Sequence, residues 1–144
     1  MSRLLVSAVL ACTLASPRPT LGAEPVPRPC ETQTSVLMTL KSSWPALYRA
    51  AVALPNRCFD GYFAEGISDT VVRKMGQDWA GFIAMLSLHR ADERFMSLVL
   101  RSINATLDPK DIKLAAHRAA SECPETLKKQ CFSISRKAAE ALRE

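Results

Sequence analysis

From Thr32 to Leu142 the apolar residues recur every three or four positions, and no alternating β-branched run competes with that period. A helix gathers residues three and four apart onto one face, whereas a strand sends neighbours to opposite faces. The chain is therefore confined to helices that each bury one stripe. The first helical region spans about Thr32 to Ala53, interrupted by Pro45, with Ser42 or Ser43 as cap of a second piece that starts near Trp44. Leu54-Pro55-Asn56 is a break. Arg57 to Glu65 reads as a short helix with Cys58, Phe59, Tyr62 and Phe63 on one stripe, closed by Gly66. Ser68 then suits an N-cap, with Asp69 in the first turn of a helix carrying Val71, Val72, Met75, Trp79, Phe82, Ile83 and Leu86. Gly76 and Gly81 lie within it, where they weaken the helix but permit close packing.

Leu88 to Ala91 reads as a turn, and Asp92 as the cap of a helix that turns Phe95, Leu98, Val99 and Ile103 inward. Asp108-Pro109-Lys110-Asp111 is the strongest start signal: a cap, a proline at the first helical position and an acid in the first turn. That helix runs to about Glu122, Cys123-Pro124 turns the chain, and a final helix presents Leu127, Cys131, Ile134, Ala138 and Leu142. The expected fold is all-α, a compact bundle of five or six helices stapled by disulfides.

The N-terminus has a different pattern. Arg3, the apolar run Leu4 to Ala15 and the small-residue end Leu21-Gly22-Ala23 have the layout of a secretory signal peptide. The run is too short for a membrane-spanning helix, which needs roughly 20 apolar residues. Cleavage after Ala23 is the favoured reading. Thr13-Leu14-Ala15 offers an earlier cut, and Val9-Leu10-Ala11-Cys12 loosely resembles a lipobox, which would make Cys12 an acylated anchor. The expected organisation is a leader over 1–23, an extended Pro-rich arm over 24–31 and one helical domain over 32–144. The expected location is periplasmic or secreted, with no transmembrane segment in the mature chain.

Cleavage after Ala23 removes Arg3 and Arg18 and lowers the net charge by two, from +5 to +3. From Arg57 to Ile103 both signs occur six times, so no clustered basic face points to nucleic acid. Four cysteines remain: Cys30, Cys58, Cys123 and Cys131. An even set in an exported chain indicates two disulfides, with three connectivities open. The preferred pairing is Cys30 with Cys58 and Cys123 with Cys131, because short loops close with less entropy loss. The second pair requires a turn at Pro124, since eight residues along one helix span about 12 Å. There is no CxxC and no His-rich ligand cluster, so neither metal nor cofactor is expected.

Catalytic readings are thin. His89 and His117 are the only histidines, and no GxSxG elbow accompanies Ser68, Ser87 or Ser133. Asp60, Glu65, Asp69 and Asp78 supply carboxylates near the middle of the chain, but a paired-carboxylate mechanism needs two at a defined separation across a cleft, and capping and solvation explain Asp69 and Asp78 more simply. Trp44, Trp79 and the Phe59–Phe63 group read as core rather than as a ligand pocket. Asn104-Ala105-Thr106 has the form of a glycosylation sequon.

The region from Cys58 onward resembles the small periplasmic immunity proteins that protect bacteria from type VI secretion amidases. The resemblance rests on Cys58-Phe59-Asp60-Gly61-Tyr62-Phe63, on the long helical middle, and on Cys131-Phe132-Ser133-Ile134-Ser135 followed by Lys137 to Leu142. Cys30, Cys123 and the Pro-rich arm have no counterpart in it. It implies a helical, exported, disulfide-stabilised, non-catalytic protein that blocks the cleft of a peptidoglycan amidase. A periplasmic chaperone or lipid-binding helical protein is the alternative, and a small secreted hydrolase the third reading. The expected partner contacts lie in two turns, His89, Arg90, Asp92 and Glu93 in one, Gly66, Ile67, Ser68 and Asp69 in the other.

Overall fold

The computed structural model describes residues 28–144. The leader, Cys12 and positions 24–27 of the arm lie outside the described residues. Among the described residues there are seven α-helices and no strand: α1 (Arg28–Leu37), α2 (Trp44–Ala53), α3 (Gly61–Gln77), α4 (Trp79–Leu88), α5 (Glu93–Ser102), α6 (Pro109–Ser121) and α7 (Lys128–Ala141). Short 3₁₀ turns at Asn56–Cys58 and Glu125–Leu127 precede α3 and α7. No helix among the described residues is long and apolar enough to cross a membrane.

Most helix starts follow their capping residues. The Ser43 hydroxyl accepts from the Ala46 N–H at the head of α2, and Asp108 accepts from the Lys110 N–H at the head of α6. Pro45 and Pro109 fit the first turns because those N–H groups have no intrahelical partner. The same rule moves one expected boundary. The expected arm includes positions 28–31, yet α1 begins at Arg28 and takes Pro29 into its first turn.

Two further boundaries differ from the sequence reading. The expected break at Gly66 and Ser68 is absent, and α3 runs through both. Gly66 packs beneath the Met38 side chain, where a Cβ would collide with the thioether. Ser68 is 1% exposed and accepts from Asn104 Nδ2 at 3.3 Å, so its hydroxyl is satisfied inside the core rather than at a cap. The chain breaks instead at Asp78, which closes α3 and caps α4 by accepting from the Gly81 N–H at 3.1 Å. Trp44 Nε1 donates to the Asp78 carbonyl at 3.2 Å and fixes that corner against α2. The expected short helix at Arg57 to Glu65 merges into α3, so this stretch still holds two helices; the count reaches seven because the first expected region, Thr32 to Ala53, forms two separate helices, α1 and α2.

The central element is α3, which packs against α1, α4, α5 and α6, while α6 lies along α7 and α5 contacts both α2 and α7. Ile67, Val72, Met75, Phe82, Val99, Ile103 and Ile134 are fully buried in the shared core. Each large side chain removed from water in this way contributes about 1.5–3 kcal/mol. Trp44 and Trp79 are core residues, as expected; the Trp79 ring lies 5.3 Å from that of Phe82, and its N–H donates to the Glu122 carbonyl. On α7 the inner stripe is Cys131, Ile134, Ala138 and Ala141, while Leu142 is partly exposed.

Both disulfides have the expected pairing. Cys30 on α1 joins Cys58 with Cα atoms 5.3 Å apart, and Cys123 joins Cys131 across the turn at Pro124 with Cα atoms 6.3 Å apart. The first pins the start of α1 to the 3₁₀ turn before α3. The second locks α6 to the first turn of α7.

Candidate functional site: the corner between α4 and α5

The turn at His89 is fastened from four helices. The His89 N–H donates to the Met85 carbonyl and ends α4, and the Asp92 N–H donates to the His89 carbonyl at 2.9 Å. One Asp92 oxygen caps α5 by accepting from the N–H groups of Arg94 and Phe95, at 3.0 and 3.2 Å. The other accepts the Tyr48 hydroxyl of α2 at 2.7 Å. The Tyr48 ring stacks on His89 with centroids 3.6 Å apart, and meets Phe95 edge-on at 5.4 Å. From α7, Gln130 Nε2 donates to the Arg90 carbonyl.

This geometry divides the four expected contact residues of the turn by role. Asp92 is committed to three donors, and His89 has one ring face covered by Tyr48. Both hold the corner in shape. Arg90 and Glu93 are exposed and free to meet another surface. Electrostatics follow the same bonds. The Tyr48 hydroxyl, assisted by the Phe95 and Arg94 N–H groups, holds the Asp92 carboxyl below its usual range against the opposing effect of burial. The same hydrogen bond, then burial and the Asp92 charge, pushes the Tyr48 phenol up.

The second expected contact segment, Gly66-Ile67-Ser68-Asp69, is not a loop. It lies within α3, with Ile67 and Ser68 buried, because α3 needs that face for the core. Asp69 is half-buried and pairs with Arg73 one turn on, at 3.3 Å. This segment is structural. His117 is exposed on α6, apart from the corner in sequence and helix. Asn104 of the sequon uses its side chain internally: Nδ2 donates to Ser68 Oγ and the Ser102 carbonyl, and Oδ1 accepts from the Thr106 N–H and hydroxyl. Among the described residues no group of three His, Cys, Asp or Glu side chains is placed to hold a metal ion.

Three surface depressions surround the outer face of α5 and share Glu93. One, of about 470 Å³, lies toward the end of α2 and is lined by Ala51 to Asn56 together with Arg94, Ser97 and Arg101. A second, of about 690 Å³, is walled by Phe59, Met96, Leu100 and Ile103, with Arg101, Asn104 and Lys137 among its lining. The third, of about 380 Å³, joins the corner to Lys129, Gln130 and Ser133 of α7. The sequence reading missed this face and missed Tyr48. The signal was present: Arg94, Ser97 and Arg101 recur at helical spacing along the flank of the buried Phe95, Leu98 and Val99. Tyr48 gave no such signal, because its role depends on a contact 44 residues away.

The chain matches no protein-family model, no curated protein and no solved structure.

Proposed function

We propose that the protein is an exported, non-catalytic binding module, and that it serves as an immunity protein inhibiting a cell-wall amidase effector. The observation that carries the binding reading is the α4–α5 corner. The corner is tied to α2, α4, α5 and α7, to α2 through the Asp92 and His89 side chains, while Arg90 and Glu93 project unpaired by any ion pair among the described residues. A preorganised charged corner loses little freedom on docking and pairs with polar groups around an enzyme cleft. Two disulfides and a leader-like N-terminus support export. The amidase as partner rests on the sequence resemblance.

The test is complex formation with the product of the neighbouring toxin gene, together with protection of cells that co-express both proteins in the periplasm. Arg90→Glu combined with Glu93→Lys should abolish protection while keeping the parent's helicity and cooperative melt; both side chains are exposed, and the lost acid in the first turn of α5 should lower stability by no more than about 1 kcal/mol. His89→Ala is less informative for binding, since it also removes the partner of Tyr48. Turnover of peptidoglycan or lipid by the purified protein, lost in His89→Ala, would replace this reading with an enzymatic one.

A further inference from the structure

We infer that the depression walled by Phe59, Met96, Leu100 and Ile103 receives an apolar side chain of a partner protein that carries a carboxylate beside it. The inference rests on the protein-binding reading and specifies the chemistry of what binds. The walls are apolar and only partly covered: Met96 and Leu100 are half-buried on the flank of α5, over the fully buried Ile103. Leaving such side chains in water forgoes the free energy that a docked apolar group would recover. The volume of about 690 Å³ accommodates a large side chain and its neighbours.

The charge around it sets the sign of the partner. Arg94, Arg101 and Lys137 line this depression or the adjoining one, against Glu93 as the single acid lining either. Lys137 reaches Glu140 at 3.4 Å, and Arg94 donates to the neutral Val52 carbonyl. Arg101 makes no ion pair among the described residues. Its guanidinium lies over the Phe59 ring, 4.4 Å from the centroid. The ring contact restrains the guanidinium, and with no carboxylate paired to it the group has N–H donors to offer a bidentate carboxylate. The occupant is a protein segment rather than an acyl chain. The depression is a surface feature continuous around α5 with two others, whereas a lipid tail requires most of its surface enclosed.

Methyl NMR of the purified, disulfide-bonded protein tests this with three probes. They are a blocked pentapeptide with phenylalanine between two glutamates, its counterpart with two lysines, and dodecanoate. The acidic peptide should shift the Met96 and Leu100 methyl signals saturably, and the lysine peptide should bind about tenfold more weakly, the ratio one good charge contact supplies. Arg101→Glu should reverse that order while keeping the parent's helicity and a cooperative melt. Equal binding of both peptides, no saturable shift from either, or a response to dodecanoate alone would overturn the inference. Loss of toxin protection in the Arg90→Glu, Glu93→Lys variant, with no peptide response, would overturn the inference while leaving the protein-binding reading standing.

Discussion

Removing the disulfides one at a time should separate their contributions by loop length. The Cys30–Cys58 bridge closes a separation of 28 residues that contains all of α2 and most of α1, whereas Cys123–Cys131 closes only 8 across the α6–α7 turn. If the bridges act by restricting the unfolded chain, these lengths convert to about 3.6 and about 2.5 kcal/mol respectively. The Cys30→Ala, Cys58→Ala variant should then be less stable than the Cys123→Ala, Cys131→Ala variant by about 1 kcal/mol. Alanine is chosen because Cys30, Cys58 and Cys131 are buried, and a serine hydroxyl there would add the cost of an unpaired polar group. Urea unfolding followed by circular dichroism reads both quantities, with m rising slightly in each variant as the unlinked denatured chain exposes more surface. A larger loss from the short-loop variant would refute the chain-entropy reasoning. It would show that the Cys123–Cys131 bridge works in the folded state, by holding α7 against α6.

Trp79→Ala should cost about 3–5 kcal/mol in thermal or urea unfolding, since the ring is nearly fully buried and its N–H partner at Glu122 would be left unpaired; a loss below about 1 kcal/mol would place the ring outside the core's energetics. Gly76→Ala and Gly81→Ala should differ in sign or size. A Cβ at Gly76, in the last turn of α3, meets the exposed Leu114 side chain at its Cδ2 and Cγ, 2.8 and 3.1 Å away, and a surface leucine can shift by those few tenths of an ångström, so this variant should change stability by no more than about 1 kcal/mol. A Cβ at Gly81 meets the Asp78 carboxylate that caps α4 and the buried Trp44 ring, so that variant should melt clearly below the parent. Asp92 should contribute acid sensitivity. Its native pKa is lowered, so the stability it supplies is present above the ordinary value of 3.8 and is lost as pH falls through the native one. Tyr48→Phe, which lacks the chief cause of that shift, should therefore lose less stability than the parent between about pH 5 and pH 2, as read by acid unfolding.

The parts of this fold that were legible in the sequence are those set by local chemistry. Ser43, Asp92 and Asp108 cap the helices assigned to them, Pro124 makes the turn required by Cys123 and Cys131, and the inward stripe of α5 is the one its spacing indicates. The failures have a common physical origin. Ser68 looks like a cap only until Asn104, 36 residues away, supplies its hydrogen bond; Gly66 looks like a helix end only until Met38 covers it. Asp78 is legible as a capping or solvated acid and does cap α4, but the helix break it makes is not legible, because the donor that fixes its carbonyl, Trp44, is 34 residues away. Each is a residue whose local preference is ambiguous and whose outcome is decided by a distant neighbour.

The same distinction governs the candidate site. Turn chemistry identified His89 to Glu93 as a corner, but it did not distinguish the residues that build it from those that it displays. That division comes from α2, because the Tyr48 hydroxyl binds Asp92 and its ring covers His89. Placing one aromatic side chain against two residues of a tight turn restrains them together, so Arg90 and Glu93 are presented from a backbone that does not have to be ordered on binding. Tyr48 is therefore the residue through which the bundle's packing would reach the binding surface. Its removal should weaken partner binding through increased freedom of the corner, even though Tyr48 need not touch the partner.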